Sequence, residues 1–300
     1  MSDVSVIGTG AMGSALVEAL AASSAEVTVW NRTMDKAQAL AGPSVGVAAS
    51  PVEALKASPL TIVSVTDHNV ARTLVHDAAE ALHGKVVAST SFVTPDQARA
   101  FHAVVCAAGG HYLDLSIPAY PSEVRSRAGV FLVSGDLIVY EAHRHRFERL
   151  GRATYIDEAP GAAYISEMAI LLAYLPMAVG LLQGLRVCAQ HDIPASWFNE
   201  TVPEFYSFHI RSLLDRVAEQ PDPATRQVEA SVNEWGKTAA EYADYLREVG
   251  LDATMYDALH RMFAAAAKAG HGTVDWTGIA DHARVPSREP IGHVDADRGT

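Results

Sequence analysis

The stretch from Val4 to Leu16, VSVIGTGAMGSAL, decides the fold of this chain. It places Gly8, Gly10 and Gly13 in GxGxxG spacing, directly after a predicted strand and at the start of a predicted helix. The first glycine permits the tight turn, the second lets backbone approach a pyrophosphate, and the third allows the helix to pack closely on the strand. Phosphates then lie on the helix N-terminus, so this context predicts a dinucleotide site. The predicted phosphate-binding residues are Gly8, Thr9, Gly10, Ala11, Met12 and Gly13.

Outward from this motif, residues 1–160 alternate short β-branched runs with amphipathic helical segments. The runs that predict strands are DVSVIG (3–8), EVTVWN (26–31), LTIVSV (60–65), KVVAST (85–90), HYLDLS (111–116) and GVFLVSG (129–135). Such alternation with nearly continuous apolar strands indicates a parallel sheet that is covered on both faces. We therefore predict a Rossmann-like, doubly wound domain over residues 1–160, closed by an edge strand near GRATYID (151–157).

Strand signals stop from about Gly161. A helical pattern runs to residue 190, where polar residues and Pro194 end it. Further helical stretches follow, one of them from Arg226 to Gly250, and residues 286–300 show no periodicity. The predicted fold class is therefore α/β, with an N-terminal Rossmann-like domain (1–160), a long interdomain helix (161–190), a C-terminal all-helical domain (191–285) and a tail (286–300).

Composition limits the partners and the location. A formal net charge of −12 argues against a nucleic-acid or anionic-membrane surface. The longest apolar stretch, Met168 to Leu182, is interrupted by Tyr174 and Pro176, and we expect it to be too short to span a bilayer. The N-terminus runs straight into a strand, which leaves no room for a signal peptide. We therefore expect a cytoplasmic protein without a membrane segment.

No metal site is predicted. The chain has 13 histidines, but His143 and His145 are two apart in an Arg-rich helix. Neither an HExxH motif nor a Cys/His cluster accompanies them.

The end of the second strand indicates which dinucleotide binds. An NAD site usually has Asp or Glu there for the ribose 2′-hydroxyl. This chain has Asn31, Arg32 and Thr33, with Lys36 one turn later. Guanidinium, hydroxyl and ammonium groups bind a 2′-phosphate, which a carboxylate would repel. The alternative is that Arg32 is a solvated arginine at a helix start and does not bind a phosphate. The predicted cofactor is NADPH.

Two more strand ends contribute candidates for the same site. Loops at the carboxyl ends of the strands line the ligand crevice of a doubly wound sheet. Val65, Thr66 and Asp67 follow one strand, and Ser91 and Phe92 follow the next. Each of these residues can equally be an ordinary turn residue.

Glu167 is a carboxylate in an apolar helix, within PGAAYISEMAILLAYLPMAVG (160–180). An acidic group there is costly unless something uses it. Apolar neighbours such as Met168 and Ile170 are expected to raise its pKa, as a general acid requires. Leu171 and Tyr174 share its helix face by their spacing. The alternative is a structural carboxylate.

The order of domains resembles the β-hydroxyacid dehydrogenase superfamily. That superfamily has a catalytic lysine six residues after a glycine at the start of the connecting helix, and here that position is Glu167. Its DAPVSGG motif would fall at LDLSIPAYPSE (113–123), which lacks the paired glycines. The chain looks more like the NADPH-dependent imine reductase branch, through VWNRT (29–33), STSFVTP (89–95), FLVSGD (131–136), LGRATYI (150–156) and AAAAKAGHGTVDW (264–276).

The resemblance implies reduction of an imine or iminium C=N bond by NADPH. A cationic lysine would repel an iminium ion, whereas Glu167 can stabilise it or protonate the nitrogen. Tyr174 is the candidate second proton donor. Candidate substrate contacts are Ile117, Tyr120, Leu171 and Trp235.

The resemblance also implies a homodimer in which the helical domains of two chains wrap around each other's connecting helix. That helix is apolar nearly all round, so both of its faces need burial. Two other functions stay open at this point. One is carbonyl or hydroxyacid chemistry, and the other is a non-catalytic NADP-binding protein with a degenerate site.

Overall fold

The computed structural model describes residues 2–91 and 94–279. The chain divides into two compact units, residues 1–184 and residues 185–300. The longest helix, α8 (Ala162–Gln190), runs from the first unit into the second. The predicted tail (286–300) and the last residues of the predicted helical domain lie outside the described residues.

The first unit contains a single sheet of eight strands. The strands are β1 Val4–Ile7, β2 Val27–Trp30, β3 Val45–Val47, β4 Leu60–Val63, β5 Val86–Ser89, β6 His111–Ser116, β7 Val130–Gly135 and β8 Arg152–Tyr155. Their order is β3-β2-β1-β4-β5-β6-β7-β8. β1 to β6 are mutually parallel, which confirms the doubly wound domain, and β8 is the predicted edge strand.

The sheet differs from the prediction at two places. β7 runs antiparallel to β6, and β8 is parallel to β7. The last two strands of the sheet therefore run opposite to the other six. The connection from β6 to β7, residues 117–129, contains only one short helix, α6 (Pro121–Arg125). β3 was not predicted, because its three residues, VGV, form no apolar run long enough to stand out.

Helices cover both faces of this sheet. They are α1 Ala11–Ala22, α2 Met34–Gln38, α3 Pro51–Ala57, α4 His68–Asp77, α5 Pro95–Ala107, α6 and α7 Leu137–Glu148. Val4 and Val6 of β1 belong to one apolar cluster with Leu16, whereas Ile7 belongs to another with Phe101. Successive residues of a strand thus enter different cores, which is why the strands are apolar without interruption.

The second unit is helical after the end of α8. Its helices are α9 Ala195–Glu219, α10 Val232–Glu248 and α11 Thr254–Ala266. The predicted helix from Arg226 begins only at Val232, because Ser231 and Glu234 form a capping box at that point. The Arg226 side chain is buried instead, with its guanidinium bonded to the Gln220 carbonyl at 2.8 Å.

The helix α8 forms at the predicted residues, but the extent of its apolar stretch contradicts one expectation. Pro176 and Tyr174 lie inside the helix and do not end it, and the helix has 29 residues with a mean hydropathy of 1.9 in its most apolar window. That is enough to cross a bilayer by length and composition, so the argument that the stretch is too short is wrong. Core helices of soluble proteins pass the same test, but none of this window is buried in the single chain. Among residues 2–91 and 94–279, nothing buries this window of α8.

Candidate active site

The glycine loop between β1 and α1 has the shape that the sequence predicts. Gly8 has a φ of +99°, and a Cβ there would stand 2.2 Å from the Ser64 carbonyl oxygen. A Cβ on Gly13 would stand 2.0 Å from the Gly8 carbonyl oxygen, so the helix packs directly on the loop. Gly10 is the N-cap of α1 without a capping side chain, and a Cβ on it would meet nothing within 4 Å. The open space and the uncapped helix start are what a pyrophosphate needs.

A cavity of about 310 Å³ extends from this loop along the ends of β2 and β4. Predicted cofactor residues that line it are Gly8, Thr9, Gly10, Asn31, Arg32, Thr33, Lys36, Val65, Thr66 and Asp67. Of the rest, Ala11 is exposed in the first turn of α1, Met12 packs against the core, and Gly13 is buried beneath the loop.

The cationic groups at the end of β2 fit a 2′-phosphate. Arg32, Thr33 and Lys36 are exposed, and neither Arg32 nor Lys36 forms an ion pair with any residue that the structure describes. Their charges are thus available to a ligand. The residues present therefore fit NADPH, with Arg32 and Lys36 placed to hold the phosphate that distinguishes it from NADH.

Asn31 and Ser91 support the loops of this cavity. The Asn31 side chain accepts from the Thr9 backbone N–H at 3.1 Å and donates to the Thr33 carbonyl at 2.9 Å, which ties the glycine loop to the end of β2. The Ser91 hydroxyl donates to the Val65 carbonyl at 2.8 Å, and Ser91 does not line the cavity. Phe92 lies outside the described residues.

The carboxylate of Glu167 borders two further cavities of the first unit. One, of about 400 Å³, brings together Ile117, Tyr120, Leu171 and Tyr174 with Glu167, as predicted. The other, of about 440 Å³, lies on the side of Thr90, just after β5, and is lined by apolar side chains including Met168 and Leu172. Thr90 follows the strand end next to the one that lines the nucleotide cavity.

Burial and one hydrogen bond set the acidity of Glu167. Burial raises its pKa, as predicted, whereas a hydrogen bond with the Ser116 side chain lowers it. Tyr174 forms a hydrogen bond with Tyr120, and this bond together with the Glu123 charge raises the pKa of Tyr174. The arrangement places a carboxyl group, whose protonated form burial favours, beside two phenols.

Trp235 lies in the second unit, on α10. Its indole is 40% exposed and its ring centroid is 5.5 Å from that of Trp276. Its contact with substrate stays a prediction.

Sequence reasoning missed the polar residues of β6. Asp114 is buried and accepts from the Tyr112 hydroxyl at 2.6 Å, the Ser134 hydroxyl at 3.3 Å and the Gly161 backbone N–H. Burial raises the pKa of Asp114, and these hydrogen bonds work against the rise. The signal was available in HYLDLS, where every second residue after His111 is polar in a strand that is otherwise apolar.

Within residues 2–91 and 94–279, no three His, Cys, Asp or Glu side chains are grouped so that they could hold a metal ion. The absence of a bound metal from the protein stays a prediction.

Comparisons with known proteins cover nearly the whole chain. The sequence model of the NAD binding domain of 6-phosphogluconate dehydrogenase matches residues 3–158, and that of the NADPH-dependent reductive aminase-like C-terminal domain matches residues 159–285. The chain is 24% identical over 288 residues to the NADPH-dependent reductive aminase of Aspergillus oryzae, covering 94% of this chain and 97% of that protein.

Two solved structures are similar throughout. The imine reductase from Myxococcus stipitatus in complex with NADP+ has a TM-score of 0.83 and 27% identity, covering 94% of this chain and 100% of that one. The imine reductase from Pseudomonas sp. has a TM-score of 0.85 and 26% identity, covering 94% and 99%.

Proposed function

Because the chain belongs to the NADPH-dependent imine reductase family, with a nucleotide domain of the 6-phosphogluconate dehydrogenase type, we propose that it reduces an imine or iminium ion to an amine, with Glu167 acting at the nitrogen. The observation that carries this role is a half-buried carboxylate that borders two cavities with mainly apolar walls. A lysine at this position would repel an iminium cation, so the side chain itself favours C=N over C=O reduction.

Glu167 can serve the reaction in two ways. As a carboxylate it stabilises the iminium cation, because an opposite charge is strongly attractive in a partly desolvated site. As a carboxylic acid it donates its proton to the imine nitrogen, and burial favours that form. Bound at the glycine loop, NADPH supplies the hydride that adds to the carbon. The hydrogen-bonded Tyr120 and Tyr174 pair is the second group able to deliver a proton from the same cavity.

The walls of the two cavities indicate the substrate class. Met168, Leu171, Leu172 and Leu175 make the walls of the cavity beside Thr90 mostly apolar, and its polar side chains among the described residues are Thr90, Tyr164 and Glu167. Such a cavity binds an apolar body and orients it through one polar atom. We propose a cyclic or aryl imine, with some reductive amination of a ketone and an amine.

Steady-state oxidation of NADPH tests this function. A simple cyclic imine should support saturable NADPH consumption, and 3-hydroxyisobutyrate should support no reduction of NADP+ to NADPH above background. If 3-hydroxyisobutyrate is oxidised with the higher kcat/KM, the hydroxyacid chemistry of the wider superfamily is the correct function. If neither substrate reacts although NADPH binds, the chain is a non-catalytic NADP-binding protein.

We also propose that the enzyme is a homodimer with intertwined helical domains. In the first unit, Ile165, Ile170, Leu172 and Leu175 of α8 are each at least 40% exposed. In the second unit, α9 exposes Trp197, Phe205, Phe208 and Leu214 in the same way. Apolar surface of this extent on both units requires cover, and a second copy of the chain supplies matching helices.

Light scattering tests whether a second chain buries the apolar surface of α8. A soluble particle of twice the 32.0 kDa chain mass supports the dimer, and supports the expected cytoplasmic location. A stable, active monomer, or activity that sediments with lipid vesicles, would contradict it.

A further inference from the structure

The strand β6 presents a stripe of polar side chains to the start of α8. Tyr112, Asp114 and Ser116 are all buried and, two residues apart, lie on one face of the strand. Asp114 and Ser116 each contact α8 or the residue before it. A buried polar group is retained only when its hydrogen bonds are made, so this stripe is built around the helix.

The first contact holds the helix start. Asp114 accepts a hydrogen bond from the Gly161 backbone N–H, and the hydroxyl of Ser134 accepts one from the Ala163 backbone N–H at 3.0 Å. Ser134 in turn donates to Asp114 at 3.3 Å. The first N–H groups of a helix have no partner within it, so these two side chains fix where α8 begins and how it is directed.

The second contact reaches the functional group itself. Ser116 is buried directly before Ile117, which lines one cavity together with Glu167, and a hydrogen bond from the Ser116 side chain lowers the pKa of Glu167. One strand therefore fixes the backbone of the helix through Asp114 and the side chain of Glu167 through Ser116.

We propose that Ser116 is a positioning residue for Glu167: its hydroxyl holds the carboxyl group toward the substrate cavities, while Asp114 and Ser134 fix the helix that carries it. This inference rests on the proposed role of Glu167. Without the Ser116 bond, a glutamate side chain at the border of two cavities has several accessible rotamers, and only some of them aim at a substrate in either one.

The hydroxyl also affects the protonation of Glu167. The groups that face this carboxyl are Tyr164 and Tyr174 on α8, Tyr120 and Glu123 at the start of α6, and Ser116 on β6. Glu123 is itself held by the Tyr120 backbone N–H at 2.6 Å. A bond donated to the carboxylate favours the ionised form, so its removal raises the pKa of Glu167. Whether the reaction needs the ionised or the protonated form, the corresponding limb of the pH profile then moves to higher pH.

The test compares Ser116→Ala with Ser116→Thr, which keeps a hydroxyl, and with the control Ser58→Ala. Ser58 is also a buried serine, and it is hydrogen-bonded to the Ser5 hydroxyl at 2.8 Å. It lies just before the N-terminal end of β4, whereas the site is lined by residues at the C-terminal ends of the strands. Two measurements are made, the first on the NADP+-saturated protein and the second during turnover of one cyclic imine. They are a ¹³C NMR titration of glutamate side-chain carboxyls, with Glu167 assigned by its absence in Glu167→Gln, and the pH profile of kcat.

We expect Ser116→Ala to raise the Glu167 titration midpoint by about one pH unit and to lower kcat about tenfold, the size of one hydrogen bond to a charged group. Ser116→Thr should restore both values, and Ser58→Ala should change neither. In the Glu167→Gln background, Ser116→Ala should cause no further loss.

Three results would overturn the inference: an unmoved midpoint in Ser116→Ala, the same shift in Ser58→Ala, or an equal loss of kcat in both backgrounds. These leave the role of Glu167 intact as long as Glu167→Gln is impaired. A Glu167→Gln enzyme that turns over the imine at the wild-type rate would instead refute the proposed function, whatever the titration shows.

Discussion

A glycine of positive φ precedes both α1 and α8, three residues before the first and one residue before the second, yet the two helices use their N-termini in opposite ways. The φ is +99° at Gly8 and +93° at Gly161. The start of α1 has no capping side chain and faces a cavity, so its N–H groups are left for a ligand. At the start of α8 the protein supplies its own carboxylate, since Asp114 accepts from the Gly161 N–H.

This difference separates two ways of building a site. The end of the nucleotide cavity at the glycine loop is formed by backbone, and its geometry follows from Gly8, Gly10 and Gly13. The substrate site depends on a side chain, Glu167, that distant residues must aim. Changes in one region should therefore have little effect on the function of the other.

The largest expected effect is that of Glu167→Gln, which keeps size and most packing but removes the charge and the dissociable proton. We expect kcat to fall about 10²–10⁴-fold, the usual range for general acid–base groups. NADPH affinity, measured by fluorescence titration, should barely change, because the nucleotide cavity does not include Glu167.

An N-methylated cyclic iminium substrate sharpens this result, because it needs no proton. With it the variant should lose less activity if Glu167 donates a proton, and comparably if Glu167 stabilises charge. Wild-type rates with both substrates would show that Glu167 is structural and that Tyr174 or water provides the proton.

Arg32→Ala tests the other region. It should weaken NADPH binding by about 1.5–3 kcal/mol, the range for hydrogen bonds to charged groups, and NADH binding much less. Arg152→Ala is the matched control, since it is an exposed arginine on β8 at the opposite edge of the sheet. If Arg32→Ala weakens both cofactors equally in calorimetric titrations, Arg32 supports structure and does not read the 2′-phosphate.

Asp114→Ala has the smallest expected effect on the nucleotide region. It tests most directly whether the starts of α1 and α8 are independent of each other. It leaves the Gly161 N–H and the Tyr112 hydroxyl without their acceptor, so the free energy of unfolding should fall by about 1–3 kcal/mol in urea titrations. The Kd for NADPH should stay within twofold (about 0.4 kcal/mol) of wild type, since α1 does not depend on this carboxylate. A variant that loses NADPH affinity but keeps its stability would show that the two helix starts are coupled.

Much of the fold was predictable because its signals are local. Each of the six predicted runs from β1 to β7 forms a strand, and β8 lies at the predicted edge. The reversed β7 was not predictable from its own residues, because an apolar strand has the same pattern in either direction. The helix α8 lies within its predicted range, residues 161–190, but the expectation that its apolar stretch is too short for a bilayer was wrong, because Tyr174 and Pro176 do not interrupt it.

By itself the sequence determined the glycine loop, the cationic end of β2 and the position of Glu167 six residues after Gly161, since each depends on residues close together in the chain. Only the tertiary structure decided that Ser116 contacts Glu167 and that Asp114 accepts from Gly161, 47 residues apart. These pairings form when β6 and α8 pack, and the orientation of a side chain follows from such packing. Spacing along the chain fixes which groups are present, and packing fixes where they point.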